Sequence, residues 1–158
     1  MEDRDLKIIR MQNNLGALRK IAGWTTEQLA NKLDVSKQTV CNLETKENHT
    51  KMKYSQYALL KMIFDEEIKN NPQNELLKKA VDVLINEPDP DENKYNEKEL
   101  YIDTLASAKY AGKSNEELAK FMALMCGMLA VPVVGQIMAG TLGMDKLFDM
   151  FFTRKFKQ

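Results

Sequence analysis

The stretch LRKIAGWTTEQLANKLDVSKQTVCNLE, residues 18–44, decides the fold of this chain. Its helix boundaries can be located from single residues: Gly23 ends one helix, Thr25 caps the next, and Ser36 caps a third. The last two helices are therefore joined by a tight turn. Their apolar residues supply a small shared core, with the small side chain of Ala30 where the helices approach closely and larger ones around it: Leu29, Leu33, Val35, Val40 and Leu43.

This pair of helices resembles the helix-turn-helix domains of the phage-repressor family, the Xre or Cro type. The resemblance continues into residues 57–63 (YALLKMI), which match the family's fourth helix, and it covers roughly the first 65 residues. It implies a DNA-binding domain of five helices, the fifth beginning near Asp65 or after Pro72. It also implies an ion pair between Arg19, late in the first helix, and Glu44, late in the third. Such a pair indicates a fixed geometry rather than added stability.

Two residues depart from the family pattern. Thr26 occupies the position where the family commonly has a phosphate-binding Gln, although its hydroxyl can still reach a phosphate. Asp34 replaces the usual Gly of the turn. Asp tolerates a left-handed backbone better than most residues, so the turn is expected to survive.

The resemblance implies that the third helix lies in the major groove, with its N-terminal residues and next turn at the base edges. The residues at these positions are Lys37, Gln38, Cys41 and Asn42. A Lys donates to guanine, and a Gln or Asn pairs with adenine, so Lys37, Gln38 and Asn42 are the favoured readers. The alternative is that they form the solvated face of a short helix whose fold serves protein binding.

Phosphate contacts are expected at helix N-termini and in the loop after the third helix. Residues 1–65 hold 11 Lys and Arg against 8 Asp and Glu, a mild excess that allows a polyanion partner without demanding one. The residues expected to contact phosphate are Thr25, Thr26, Thr39, Lys46, Lys51 and Lys53.

Helical spacing of apolar residues continues along the chain, which predicts an all-α protein. Asn71 before Pro72 is expected to open a later helix, and Ser114 with Glu117 forms a capping box. The acidic stretch at residues 86–97 holds two prolines and predicts a linker. The predicted organisation is a DNA-binding domain at 1–70, a helix and acidic linker at 71–96, and a helical oligomerisation or effector region at 97–158.

Residues 121–144 (FMALMCGMLAVPVVGQIMAGTLGM) carry no formal charge and match a bilayer span in length. Pro132 and the surrounding glycines interrupt this segment, and basic residues follow it, which argues against a simple span. We expect buried helices whose remaining apolar surface joins two copies of the chain. The expected oligomerisation residues are Met125, Met128, Val133, Val134, Ile137 and Leu142.

Enzymatic chemistry is not expected. The chain has one histidine, His49, without a nucleophile or metal signature, and it has no Gly-rich phosphate loop. Its two cysteines, Cys41 and Cys126, have no metal-ligand spacing and predict neither a disulfide framework nor a zinc site. No metal or cofactor is predicted. The N-terminus lacks a secretory pattern, which favours the cytoplasm.

These observations favour a cytoplasmic, dimeric, sequence-specific DNA-binding regulator, most simply a repressor, with double-stranded DNA as its partner. One alternative is a protein-interaction or inhibitor module whose C-terminal half carries the main activity while the helix-turn-helix controls its own gene. Another is a regulator held at a membrane by residues 121–144, which the interruptions in that segment disfavour.

Overall fold

A computed structural model describes residues 3–47, 50–114, 116–118 and 120. The described residues form helices and no strand, as the all-α prediction requires. In chain order the elements are α1 (Asp3–Ala22), α2 (Thr26–Leu33), α3 (Lys37–Glu44), α4 (Tyr54–Asn70), α5 (Glu75–Val81), a π-helical segment (Asp82–Asn86) that continues α5, and α6 (Glu92–Tyr110).

The predicted C-terminus of α1 and the predicted N-terminal caps of α2 and α3 are confirmed. Gly23 has a positive φ of 80° directly after α1, a backbone conformation that glycine adopts at little cost. The Thr25 side chain accepts from the Gln28 backbone N–H while the Gln28 side chain accepts from the Thr25 N–H, forming a capping box at the start of α2. Ser36 caps α3 by accepting from the Thr39 N–H at 3.1 Å.

The turn between α2 and α3 depends on Asp34, whose φ of 52° and ψ of 46° place it in the left-handed region. Its N–H donates to the Asn31 carbonyl at 3.2 Å, and the Val35 N–H donates to the Ala30 carbonyl at 3.0 Å. These two bonds satisfy carbonyls at the end of α2 that have no partner within the helix. Asp34 therefore replaces a glycine in this turn, as expected.

Asn71 does not open a helix, so that prediction is wrong. It follows the last residue of α4, and its N–H donates to the Glu67 carbonyl at 2.9 Å. The cap of α5 is Asn74, whose side chain accepts from the Leu77 N–H and donates to the Ile21 carbonyl at 3.0 Å. Because α4 continues through Asp65, the fifth helix is the one that begins after Pro72.

The core of the N-terminal half lies between α1 and the four helices that follow it. Trp24 is buried there and stacks on Phe64 with ring centroids 5.6 Å apart, so this residue is a core aromatic. The other large, fully buried side chains of this half include Met11, Leu15, Leu18, Ile21, Leu29, Leu43, Leu60 and Leu77.

The acidic linker is shorter than predicted. Helix α6 begins at Glu92 instead of near residue 96, and Tyr95 in its first turn is buried. The Tyr95 hydroxyl lies 3.0 Å from Nδ2 of Asn14 on α1, which donates to it. The chain divides into the units Met1–Ser107 and Ala108–Gln158, so most of α6 lies in the first unit, whereas the predicted C-terminal region begins at residue 97.

Past α6, the predicted capping box is present: the Ser114 hydroxyl accepts from the Glu117 N–H, and the Glu117 carboxylate accepts from the Ser114 N–H. Among the described residues, none of the helices is both long enough and apolar enough to cross a bilayer. The segment 121–144 lies outside the described residues, as do Cys126 and all six residues predicted for oligomerisation: Met125, Met128, Val133, Val134, Ile137 and Leu142.

Candidate nucleic-acid interface

Helix α3 has one buried face and one face available to a partner. Val40 and Leu43 are buried, with exposed fractions of 0% and 2%, and they determine which face of α3 packs against the core. Lys37 and Gln38 are exposed, while Cys41 and Asn42, one turn later, are half-buried. Residues four apart lie on the same side of a helix, so all four predicted base-contact residues share this outer face.

The two amide side chains on this face are hydrogen-bonded to each other. Nε2 of Gln38 donates to Oδ1 of Asn42 at 2.8 Å. The bond uses one of the two Gln38 N–H groups and leaves its carbonyl oxygen and second N–H available. Asn42 therefore orients the Gln38 amide with one donor and one acceptor still unused by this pair.

Arg19 and Glu44 form the ion pair that the resemblance implies. Arg19 Nε donates to Glu44 Oε1 at 2.6 Å and Nη2 donates to Oε2 at 3.0 Å, a bidentate arrangement. Arg19 Nη1 also donates to the Trp24 carbonyl at 2.9 Å, just before α2. Arg19 is 6% exposed. One buried guanidinium thus connects α1, the start of α2 and the end of α3.

The threonines predicted to contact phosphate lie at two helix N-termini. Thr25 is exposed at the start of α2, and its oxygen already serves as the cap acceptor, so its hydroxyl hydrogen is the group left for a phosphate. Thr26 follows it and is half-buried. Thr39 is half-buried in the first turn of α3, with its hydroxyl oxygen 2.9 Å from that of Ser36.

The predicted lysines lie in the connection between α3 and α4. We call its described residues, 45–47 and 50–53, the basic loop; Asn48 and His49 lie outside the described residues. Lys46, Lys51 and Lys53 are exposed, and Glu47 reduces the net charge of the basic loop to +2. Lys46 and Lys51 line one groove beside the end of α3, so the structure brings these two cations together.

No protein-family model, curated protein or solved structure matches this chain. The resemblance to the phage-repressor family therefore stays a prediction from the sequence. Within the described part of the chain, no group of three or more His, Cys, Asp or Glu side chains is placed to hold a metal ion.

Gln12 on α1 contacts the basic loop and the end of α3, and the sequence did not indicate this. Its Nε2 donates to the Thr50 carbonyl at 2.7 Å and to the Leu43 carbonyl at 3.3 Å. Its Oε1 accepts from the Met52 N–H at 2.9 Å. Nothing in the sequence distinguishes Gln12 from its neighbour Asn13, because its partners lie more than 30 residues away.

Proposed function

We propose that this protein is a sequence-specific DNA-binding transcriptional regulator that places α3 in the major groove. The observation that carries the proposal is the outer face of α3, where Lys37, Gln38 and Asn42 project from a helix whose opposite face is buried. An α-helix fits the width of the major groove, and polar side chains on its outer face reach base edges there.

The side chains on this face suit direct base readout. The Lys37 ammonium can donate to guanine, and the oriented Gln38 amide offers the one donor and one acceptor that adenine requires. Asn42 accepts a hydrogen bond from that amide, and Cys41 lies on the same outer face of α3. Each well-formed bidentate contact contributes about 1 to 3 kcal/mol of discrimination against the wrong base.

Phosphate contacts would come from groups around α3. Thr25 and Thr26 precede α3 in the chain, Thr39 lies in its first turn, and the exposed lysines of the basic loop follow it. Contacts of this kind add affinity that does not depend on sequence and that salt weakens.

The proposal includes dimeric binding and repression. The apolar segment 121–144 would join two copies, and a bound dimer whose site overlaps a promoter would exclude the polymerase from it. Residues 121–144 lie outside the described residues, so this part of the proposal rests on the sequence alone.

The test measures fluorescence anisotropy of a labelled duplex from the region upstream of the protein's own coding sequence, titrated with full-length protein over a salt series. A duplex of the same composition in scrambled order serves as the reference DNA. The variant is Lys37→Ala with Gln38→Ala. Its matched control is Lys69→Ala with Gln73→Ala, which removes the same two residue types from the end of α4 and the turn beyond it.

We expect the wild-type protein and the control to prefer the upstream duplex. The Lys37→Ala, Gln38→Ala variant is expected to lose that preference and keep a weak, salt-sensitive affinity for both duplexes. A wild-type protein that binds both duplexes equally at every salt concentration would contradict the proposal, as would equal losses in the variant and the control.

A further inference from the structure

A side chain of α1 is hydrogen-bonded to the backbone of the basic loop on both sides of Lys51. The Gln12 amide donates to the carbonyl of Thr50 and accepts from the N–H of Met52, at 2.7 and 2.9 Å. These two backbone groups flank Lys51 on either side. The conformation of the backbone at Lys51 is therefore fixed from α1 and not by the loop alone.

The same amide also contacts the end of α3. Its Nε2 lies 3.3 Å from the carbonyl of Leu43, in the last turn of that helix. Carbonyls in a last helical turn lack partners within the helix, so the bond satisfies a group that otherwise needs water. Gln12 thus connects the end of the proposed recognition helix to the segment that carries Lys51.

We propose that Gln12 is a positioning residue for DNA binding, fixing Lys51 relative to α3 so that phosphate contact and base contact occur in one register. This inference rests on the function proposed above. Gln12 is half-buried behind the loop and need not touch the DNA itself. Its effect is exerted through the loop cations, which are the groups that neutralise phosphates.

The amide is suited to this task because it offers a donor and an acceptor on one planar group. A methionine has nearly the same length and shape but neither function, so Gln12→Met removes the three hydrogen bonds and leaves the packing. A glutamate keeps an acceptor for the Met52 N–H but places a carboxylate against two carbonyl oxygens. Gln12→Glu is therefore expected to displace the loop further than Gln12→Met.

The experiment measures the slope of log K against log salt concentration for full-length protein on the labelled upstream duplex. Each phosphate contact contributes about 0.9 to this slope. The proteins compared are wild type, Gln12→Met, Gln12→Glu, Lys51→Ala and the Gln12→Met, Lys51→Ala double variant. Gln73→Met is the matched control, because Gln73 is an exposed glutamine in the turn between α4 and α5.

We expect Gln12→Met and Lys51→Ala each to reduce the slope by about 1. The double variant is expected to show no larger reduction than either single variant, because both remove the same phosphate contact. Gln73→Met should keep the wild-type slope. A residue that only stabilised the fold would lower the active fraction equally at every salt concentration, and this would leave the slope unchanged.

A wild-type slope in both Gln12→Met and Gln12→Glu overturns the positioning role while the proposed function stands. Additive reductions in the double variant also overturn it, because they assign Gln12 a contact independent of Lys51. A wild-type protein that binds no duplex removes the proposed function and this inference together.

Discussion

Single residues fix the geometry of α2, α3 and the turn between them in two ways, through a special backbone conformation and through a buried charge pair. The first is at Asp34, whose positive φ ends α2. Only glycine adopts this conformation without a steric penalty, and Asn and Asp adopt it better than other residues because of local hydrogen bonding.

We predict that Asp34→Gly is more stable than Asp34→Ala by about 1 kcal/mol, because alanine pays the left-handed penalty without help from its side chain. Urea unfolding of the two variants beside the wild type measures this difference. The Ala variant should fall below the wild type. An Ala variant as stable as the Gly variant would contradict this prediction, because it would show that the turn does not keep the left-handed backbone at residue 34.

The buried charge pair is formed by Arg19 and Glu44, whose side chains are only 7% and 16% exposed. Removing one partner leaves the other charge buried and unpaired, so Arg19→Met is expected to lower the free energy of unfolding by about 3 to 5 kcal/mol. The double variant Arg19→Met, Glu44→Leu should lose less than Arg19→Met alone. Chemical denaturation of the wild type, the single variants and the double variant completes a double-mutant cycle for this pair. Additive losses would contradict the account of a coupled buried pair.

The sequence predicted the residues whose partners are close along the chain or are implied by the family resemblance. Thr25 and Ser36 bond to groups three residues away, and such caps can be recognised from residue type alone. Asn71 was assigned wrongly because both Asn71 and Asn74 have a cap-type side chain, and the local sequence did not distinguish them. Gln12 was missed because its partners are distant in sequence.

Among the helices, α6 differs most from its prediction. The composition of residues 86–97 predicts solvated chain up to about residue 96, yet α6 begins at Glu92 and buries Tyr95. The reason is tertiary: Nδ2 of the buried Asn14 donates to the Tyr95 hydroxyl, and the Arg10 guanidinium lies 4.6 Å from the centre of the Tyr95 ring. A contact between residues 81 positions apart leaves no local signature.

Tyr95 should make the attachment of α6 sensitive to alkaline pH. Burial, reinforced by the Glu99 carboxylate, raises the pKa of the Tyr95 phenol to about 12. The unfolded chain releases this proton near pH 10. The folded state therefore holds the proton more tightly, and its stabilisation is full below about pH 10 and is lost as the pH rises toward 12.

We predict that Tyr95→Phe lowers the free energy of unfolding at neutral pH by about 1 kcal/mol, through loss of the bond to Asn14. The same variant should lose less stability between pH 9 and pH 11 than the wild type does. Urea unfolding at each pH checks both parts. The control is Tyr110→Phe, at an exposed tyrosine. Equal alkaline losses in Tyr95→Phe and wild type would contradict the role of Tyr95.

Over the whole molecule, basic and acidic residues are distributed unequally along the chain, and the distribution suits the proposed function. Residues 66–158 hold 12 basic against 15 acidic residues, so the small positive excess lies in the half that carries α3. The fold class and the outer face of α3 could be predicted from the sequence, because helical periodicity and exposed polar positions are local patterns. The end of the acidic linker and the contacts of Gln12 with the basic loop could not, because both depend on contacts with α1.

We expect the full-length protein to be a dimer in solution and to protect two half-sites about 34 Å apart on the upstream duplex. Sedimentation equilibrium and DNA footprinting measure these two properties. Val134→Asp with Ile137→Asp, which puts charges into the apolar segment, should shift the protein toward the monomer and weaken binding to the paired half-sites more than to one. A wild-type monomer that protects a single site would contradict the dimer proposal.

The most direct measurement for the central claim maps the DNA-contacting surface by amide NMR, as the upstream duplex is titrated into labelled full-length protein. We predict that the largest shift changes fall on residues 36–45 and on Lys46, Lys51 and Lys53, with small changes on α5 and on α6. Changes that cluster on α5 or α6, or no changes at any DNA concentration, would contradict it.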